Sequence, residues 1–516
     1  MSEITLFPQP QNIERKPGAF RINAHTRLFS ADSAIAEMLA DYLRPATGFG
    51  LPAHPLDDDI ASAAQNAILL IRSAADEAPE GYSLTVEPGR AIIAAAHRQG
   101  FLHGIQTLRQ LLPPQILSSE QVEGIDWTIP AVAISDSPAF GWRGIHLDVG
   151  RHMFPVEFIK KLLDALAFYK YNTFHWHLTE DQGWRIEIKK YPRLTEVGAY
   201  RAETIVSGTW DQYDGVPYGG FYTQDEVREV VAYASERGIT VVPEIELPGH
   251  SVAALTAYPN LGCIGEGYEV RRTWGIAEDI FCAGKDEVFD FLKDVLAEVL
   301  ELFPSEYIHI GGDEAPKPRW ENCPACQARI QAENLADEHE LQSWFIRQIE
   351  TWLNERRRNL VGWDEILEGG LAPKATVMSW RGSDGGIAAA NAGHDVVMTP
   401  NTYCYLDYYQ SEDTDSEPWA IPAILPLRQV WQFEVIPEQI DADKRHHILG
   451  GQGNIWTEYM PNSDHVEYMM FPRAIAIADV LWNHPAERDY DALLARLGWH
   501  LPCLEAMGLN YRPLDD

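Results

Sequence analysis

The 516-residue chain carries 41 Lys and Arg against 76 Asp and Glu, a formal net charge of −35. An acidic surface of that size repels nucleic acid and anionic membranes and makes polyanionic polysaccharide a poor substrate. Hydrophobic content of 46% and charged content of 23% are those of an ordinary globular protein with about two to four domains, and no apolar run approaches the ~18 residues of a membrane span.

The opening, MSEITLFPQPQNIERKPG, has no basic segment followed by an apolar one, so a cytoplasmic location is expected; a processed secreted or periplasmic form would read the same. Residues 1–137 read as a smaller, non-catalytic α+β domain. NAILLIRS (66–73), GYSLTVEPG (81–89) and AIIAAAH (91–97) have the look of short strands, and GFLHGIQTLRQLL (100–112) has apolar residues at helical spacing. No acids, bases or nucleophiles gather in it.

From residue 138 onward the texture changes. Eight apolar, strand-like segments each end in polar residues: 141–151, 171–181, 238–250, 307–314, 359–366, 375–382, 395–407 and 448–458. Helical patterns with one apolar stripe separate several of them, at 155–171, 223–238, 286–303 and 339–357. Strands alternating with helices predict a parallel sheet, and eight such units predict a (β/α)8 TIM barrel over residues 138–516. No G-x-G-x-x-G or P-loop follows any strand, which argues against an open doubly wound sheet.

Chemistry on such a barrel lies at the C-terminal strand ends. Here those ends carry Asp148 and Arg151; Glu180 and Asp181; Glu244, Glu246 and His250; Asp313 and Glu314; Asp364; Trp380 and Arg381; Asp407; and Trp456 and Glu458. A structural protein has no reason to crowd one rim this way, so an enzyme is expected. One reading takes His175, His177, His250 and His309 as ligands of a metal-dependent hydrolase. Hydrogen bonding in a packed barrel interior explains the His-x-His pair as well. The other takes the carboxylates with the 16 tryptophans as a sugar site, since pyranose faces pack on indole.

Six cysteines are too few for a disulfide scaffold. Cys323 and Cys326 form a lone C-x-x-C with no second pair at zinc-site spacing, and ordinary thiols are expected there. Cys263 and Cys282 bracket a loop and could pair in an oxidising compartment. No metal and no cofactor are expected.

YIHIGGDEAPKPRW (307–320) places Asp313 beside Glu314. Neighbours on a strand point to opposite faces, and a retaining glycosidase needs its two carboxyl groups about 5–5.5 Å apart across the sugar. Adjacent acids suit another arrangement, in which Glu314 protonates the leaving oxygen. Asp313 then holds a substrate group that does the attacking, as a 2-acetamido carbonyl can.

In these motifs the chain resembles glycoside hydrolase family 20, the β-N-acetylhexosaminidases, for which substrate assistance is a known exception to the two-carboxylate rule. HIGGDE (309–314) carries the resemblance most specifically. RGIHLDVGRH (143–152), NTFHWHLTEDQGWRIEIKKYP (172–192), PEIELPGH (243–250), GWDEI (362–366), YLD (405–407) and GGQGNIWTE (450–458) follow in the family's order. The resemblance implies that Arg151, with Glu458, binds ring hydroxyls, and that Asp313 orients the acetamido group. It implies Glu314 as acid and then base, and Tyr405 as donor to the acetamido carbonyl, with Asp407 nearby. Trp344, Trp363 and Trp456 should wall the pocket, Trp380 should contact substrate, and His250 should form a relay to Glu314 with Glu180. Many members have Asp at position 180, so that contact is open here, and Asp181 is a substitute partner.

The expected substrate is an oligosaccharide or glycoconjugate ending in β-linked N-acetylhexosamine. The alternatives are a two-carboxylate β-glycosidase with Glu458 as nucleophile, a metal-dependent barrel hydrolase, and a sugar-binding protein. Loops 202–222, 262–282 and 408–430 are expected to set aglycone preference.

Overall fold

A computed structural model describes residues 4–73, 78–483 and 488–514. The chain divides into two compact units. One comprises Met1–Gly141, Asp164–Tyr171 and Phe471–Asp516, and the other Trp142–Leu163 and Asn172–Met470.

In the first unit seven strands form a mixed sheet in the order Asn12–Arg21, Thr128–Asp136, Tyr82–Glu87, Arg90–Ala95, Ala67–Arg72, Arg27–Ser30 and Ala53–Pro55. Helices Ser33–Thr47 and Arg98–Gln110 bury their apolar faces in the same core as the sheet. The anticipated strands and helix are present. The strands Asn12–Arg21, Arg27–Ser30, Ala53–Pro55 and Thr128–Asp136 and the helix Ser33–Thr47 were not anticipated. The barrel domain was expected to run to residue 516, but residues 471–516 group with the first unit. The physical reason is Trp482, which is buried in that unit's core and donates its indole N–H to Asp136 at 2.8 Å.

The second unit is a closed parallel barrel. Its strands are β1 (Trp142–Asp148), β2 (Thr173–His177), β3 (Thr240–Leu247), β4 (Tyr307–Gly311), β5 (Asn359–Trp363), β6 (Thr376–Ser379), β7 (Val396–Met398) and β8 (Ile448–Gly453), each paired with the next and β8 with β1. All eight predicted strand segments are therefore present. Around them run the first part of α1 (Val156–Phe168, of which residues 156–163 belong to this unit), α2 (Gln224–Glu236), α3 (Asp286–Leu302), α4 (Glu338–Asn354) and α5 (Asp384–Ala392). Local chemistry fixes their ends. Thr223 and Glu226 form a reciprocal capping box at α2, and the Asp337 carboxylate accepts from the first amides of α4. Along α3 the buried residues Val288, Phe291, Leu292, Val295, Leu296, Val299 and Leu302 recur every three or four positions, the stripe that the sequence pattern required.

The barrel interior is layered. Trp142, Val242, Val361, Met378 and Val397 make an apolar layer. Register then brings Asp148, His177, Glu244 and His309 to one level across β1–β4, so a polar layer lies between the apolar one and the strand ends.

Candidate active site

The strand alternation of β4 ends in two glycines. Gly311 and Gly312 have φ of +67° and +89°, and a Cβ on Gly311 would collide with the Glu246 side chain. Glu314 then adopts φ +40°, and His250, after β3, adopts φ +45°. Non-glycine residues held there cost about 1–3 kcal/mol each and cluster at functional sites. The turn takes the pair out of strand alternation, and Asp313 and Glu314 both line one cavity of about 180 Å³, the arrangement in which both act from the same side. Arg151, His250, Trp363, Trp380, Tyr405, Tyr408, Ile421, Trp456 and Glu458 complete its wall.

His250 organises the acids. Its Nε2 lies 3.5 Å from Asp313 and 3.4 Å from Glu314, while Nδ1 lies 2.9 Å from Glu180 and 3.6 Å from Asp181. Burial alone would lower its pKa, but the charges of Glu180 and Asp313 outweigh that and hold it well above the usual histidine value. The carboxylates on both sides thus favour the protonated imidazole. Glu180 also pairs with Arg151 at 2.5 Å, so the longer side chain at this position spans both cations. Asp181 instead accepts the Val252 amide at 3.0 Å, and despite burial the His250 charge keeps its pKa below the ordinary carboxylate range.

Arg151 is held from three sides: Asp148 at 3.4 Å, Glu180, and Glu458 at 4.0 Å, with the guanidinium 5.1 Å from the Trp456 ring centre. Asp148 accepts the Gly150 and Arg151 amides and, from the other side, the Thr457 amide and hydroxyl, clipping the end of β1 to the segment after β8. Burial raises the Glu458 pKa in spite of Arg151.

The aromatic wall is built from the last four strands. Trp363 donates its indole N–H to Glu244 at 2.8 Å, and Trp456 packs 5.7 Å from Trp363. Trp380 stacks on Tyr405 at 5.9 Å and 20° and donates to Glu365 at 2.9 Å. The Tyr405 hydroxyl receives a hydrogen bond from Trp456, and burial raises its pKa well above the ordinary phenol value, so it stays a donor.

Trp344 was expected to wall the pocket and does not. It lies on α4, packs edge-on against Phe289 of α3 at 5.3 Å, and sits under the Arg329 guanidinium at 4.9 Å. Trp363, Trp380 and Trp456 line the cavity as expected. Asp407 is 1% exposed and sits behind Tyr405 and Tyr408, close enough to raise both phenol pKa values, rather than lining the cavity. Glu180 likewise acts behind Arg151 and His250, not on the cavity surface.

Of the histidines proposed as metal ligands, His175, His177 and His309 converge on the Glu244 carboxylate inside the barrel, at 3.0, 2.5 and 2.8 Å, and His250 faces the acids instead. Burial raises Glu244, yet His309, His177 and His175 bring it well below the ordinary range, as a counter-ion that also anchors Trp363. The set thus forms a polar layer around the Glu244 carboxylate beneath the pocket, with His177 hydrogen-bonded to it.

Three contributors escaped sequence reasoning. Tyr408 and Ile421 come from the long β7–β8 link, where periodicity is weak. Glu365, next to Asp364 in GWDEI, faces an adjoining cleft of about 340 Å³ that it shares with Glu314, Ile276, Lys317 and Arg381. Burial and then the Asp313 charge push its pKa up to about 8. Asp364 itself turns away, accepting the Trp380 and Arg381 amides and pairing with Arg381 at 2.6 Å. Glu246, buried beside Asp313, is pushed well above the carboxylate range by burial and by the charges of Asp313 and Glu244.

Residues 140–485 match the model of the glycosyl hydrolase family 20 catalytic domain, and residues 3–137 match that of the family's domain 2. A β-hexosaminidase of Porphyromonas gingivalis is 47% identical over 98% of this chain; the chain spans 64% of that relative's length. Among solved structures, a β-N-acetylhexosaminidase from Streptomyces coelicolor superposes with a TM-score of 0.86 at 31% identity, covering 100% of this chain and 99% of that one. A variant β-hexosaminidase of Streptomyces plicatus in complex with GlcNAc as product gives 0.85 at 30% identity, covering 99% and 97%.

Proposed function

The chain belongs to glycoside hydrolase family 20, and from that membership and the pocket geometry we propose that it is an exo-acting, retaining β-N-acetylhexosaminidase whose substrate supplies the nucleophile. Its substrates are oligosaccharides or glycoconjugates ending in β-linked N-acetylhexosamine. The observation that carries the reading is the adjacent pair: Asp313 and Glu314 line the same cavity beside the Tyr405 hydroxyl. A cavity of about 180 Å³ is small beside the ~300–1,000 Å³ typical of ligand pockets, which favours one terminal sugar and hence exo action.

Glu314 gives its proton to the glycosidic oxygen as the C1–O bond breaks. The acetamido carbonyl oxygen attacks C1 and closes an oxazolinium ring. Asp313 accepts the amide N–H and stabilises the charge that develops there, and Tyr405 donates to the carbonyl oxygen. The Glu314 carboxylate then takes a proton from water, which opens the ring at C1 and restores the starting configuration. Arg151 and Glu458 bind ring hydroxyls, and Trp363, Trp380 and Trp456 enclose the acetamido methyl and the sugar face. His250 and Glu180 position the acids. The cleft bearing Glu365 and Ile276 lies on the leaving-group side of Glu314.

The test compares a chromogenic β-GlcNAc with the matching β-glucoside, using wild type, Asp313→Asn and Glu314→Gln. Only the acetamido substrate should be cleaved. Both variants should lose about 10²–10⁴-fold in kcat/KM, and a leaving group that needs no proton should restore Glu314→Gln in part. Cleavage of the glucoside with a nearly silent Asp313→Asn would make Glu458 the nucleophile and sink the proposal.

A further inference from the structure

Four of the six cysteines meet at one point in the barrel unit. The Sγ atoms of Cys263, Cys282, Cys323 and Cys326 all lie within 4.8 Å of one another, with Cys282–Cys326 at 3.5 Å, Cys282–Cys323 at 3.7 Å and Cys263–Cys326 at 3.9 Å. Cys282 and Cys326 are fully buried, Cys323 is 6% exposed, and Cys263 is partly covered.

The arrangement has a local origin. An isolated antiparallel bridge between Gly262 and Phe281 closes the loop after β3 and sets Cys263 and Cys282 next to each other, with the Cys282 amide on the Leu261 carbonyl at 2.9 Å. This supplies the second pair that linear spacing did not show. Cys323 is the N-cap of the helix Pro324–Glu333, which puts Cys326 in the first turn on the same side. Gly284 lets the two segments meet, because a Cβ there would overlap the Ala325 and Cys326 backbone. The Trp320 indole, bonded to the Phe281 carbonyl at 2.9 Å, fixes the same approach.

We propose that these four cysteines bind one structural Zn²⁺, stapling the loop that follows β3 to the segment that follows Glu314. A metal with Zn–S bonds of about 2.3 Å at the centre of a tetrahedron of sulfurs gives edges of about 3.8 Å; the three separations above straddle that value, and all six lie within 4.8 Å. Two disulfides would require Cys282 to choose between Cys323 and Cys326, to both of which it is close, and to close more than an ångström on either. Each thiol that binds gives its proton to solvent, so the metal enters as a dication and leaves four thiolates around it. With four protein ligands no coordination position stays open, which makes the site structural rather than catalytic. Its consequence is positional. His250 heads one stapled segment and Glu314 the other.

The experiment is metal analysis of the untagged full chain, purified without added metal. About one zinc per chain is expected, released when a mercurial titrates the thiols. Cys323→Ser/Cys326→Ser should hold less than about a tenth of that zinc and melt at lower temperature. Should that variant fail to fold, replacement of the metal in the wild-type protein by Co²⁺ keeps the test open. A sulfur-to-cobalt charge-transfer band and the intense visible bands of a tetrahedral thiolate site are expected. Zinc absent, with either four freely reactive thiols or an unreduced mass lighter by four hydrogens, would overturn the proposal, as would iron in the metal's place.

Discussion

Replacing Glu180 by Gln keeps the shape of the side chain and removes the carboxylate that pairs directly with both Arg151 and His250. Its carboxylate is 1% exposed and lies 2.5 Å from the guanidinium and 2.9 Å from Nδ1 of the imidazole. Breaking one side of a buried ion pair costs about 3–5 kcal/mol. Arg151 keeps Asp148 at 3.4 Å and His250 keeps Asp181 at 3.6 Å, so the low end of that range applies. About 3 kcal/mol, if carried into the transition state, lowers kcat/KM by about 100-fold at neutral pH. The pH profile moves as well. Because Glu180 is the foremost of the charges that hold the His250 pKa up, its proton is lost at lower pH in the variant. The stabilisation that imidazolium gives is complete below the unfolded histidine value and disappears as pH rises through the folded one. The alkaline limb of kcat/KM should therefore shift to lower pH in Glu180→Gln, and Glu180→Asp should restore part of both effects. Initial rates on a chromogenic β-GlcNAc from pH 5 to pH 10 measure this. An activity within threefold of wild type with an unmoved alkaline limb would show that Asp181, not Glu180, is the working partner of His250.

Glu365 binds its proton more tightly folded than unfolded, because its pKa rises from 4.5 to about 8. Stability should fall, on the order of a few kcal/mol, as pH climbs through that window, and Glu365→Gln should flatten the melting temperature against pH there. The tryptophan correction has its own test. Trp344→Phe should leave KM and kcat within about twofold, whereas Trp380→Phe, which loses the hydrogen bond to Glu365 and part of the ring area stacked on Tyr405, should lower kcat/KM by about 10- to 50-fold. Equal effects from the two would refute the placement of Trp380 in the wall.

What the sequence settled by itself was periodic or covalent. The eight barrel strands and the helices between them follow from apolar patterns that no other packing buries, and strand ends place Arg151, His250, Asp313, Glu314 and Glu458 on one rim. The adjacency of Asp313 and Glu314 is written in the chain, and it was enough to point to a substrate-borne nucleophile. What only the tertiary structure decided was direction and company. A tryptophan on an amphipathic helix reads the same whether it faces a pocket or a neighbouring helix, and Trp344 faces Phe289. Adjacent acids on a strand oppose each other unless the backbone turns left-handed, as it does at Glu314. Tyr408, Ile421 and Glu365 come from irregular segments, where no period marks the inward side. Four cysteines spread over residues 263–326 become one cluster only because a two-residue bridge and a helix start converge. Spacing along the chain encodes local geometry, whereas contacts between distant segments depend on how whole elements pack, and no single stretch of sequence carries that information.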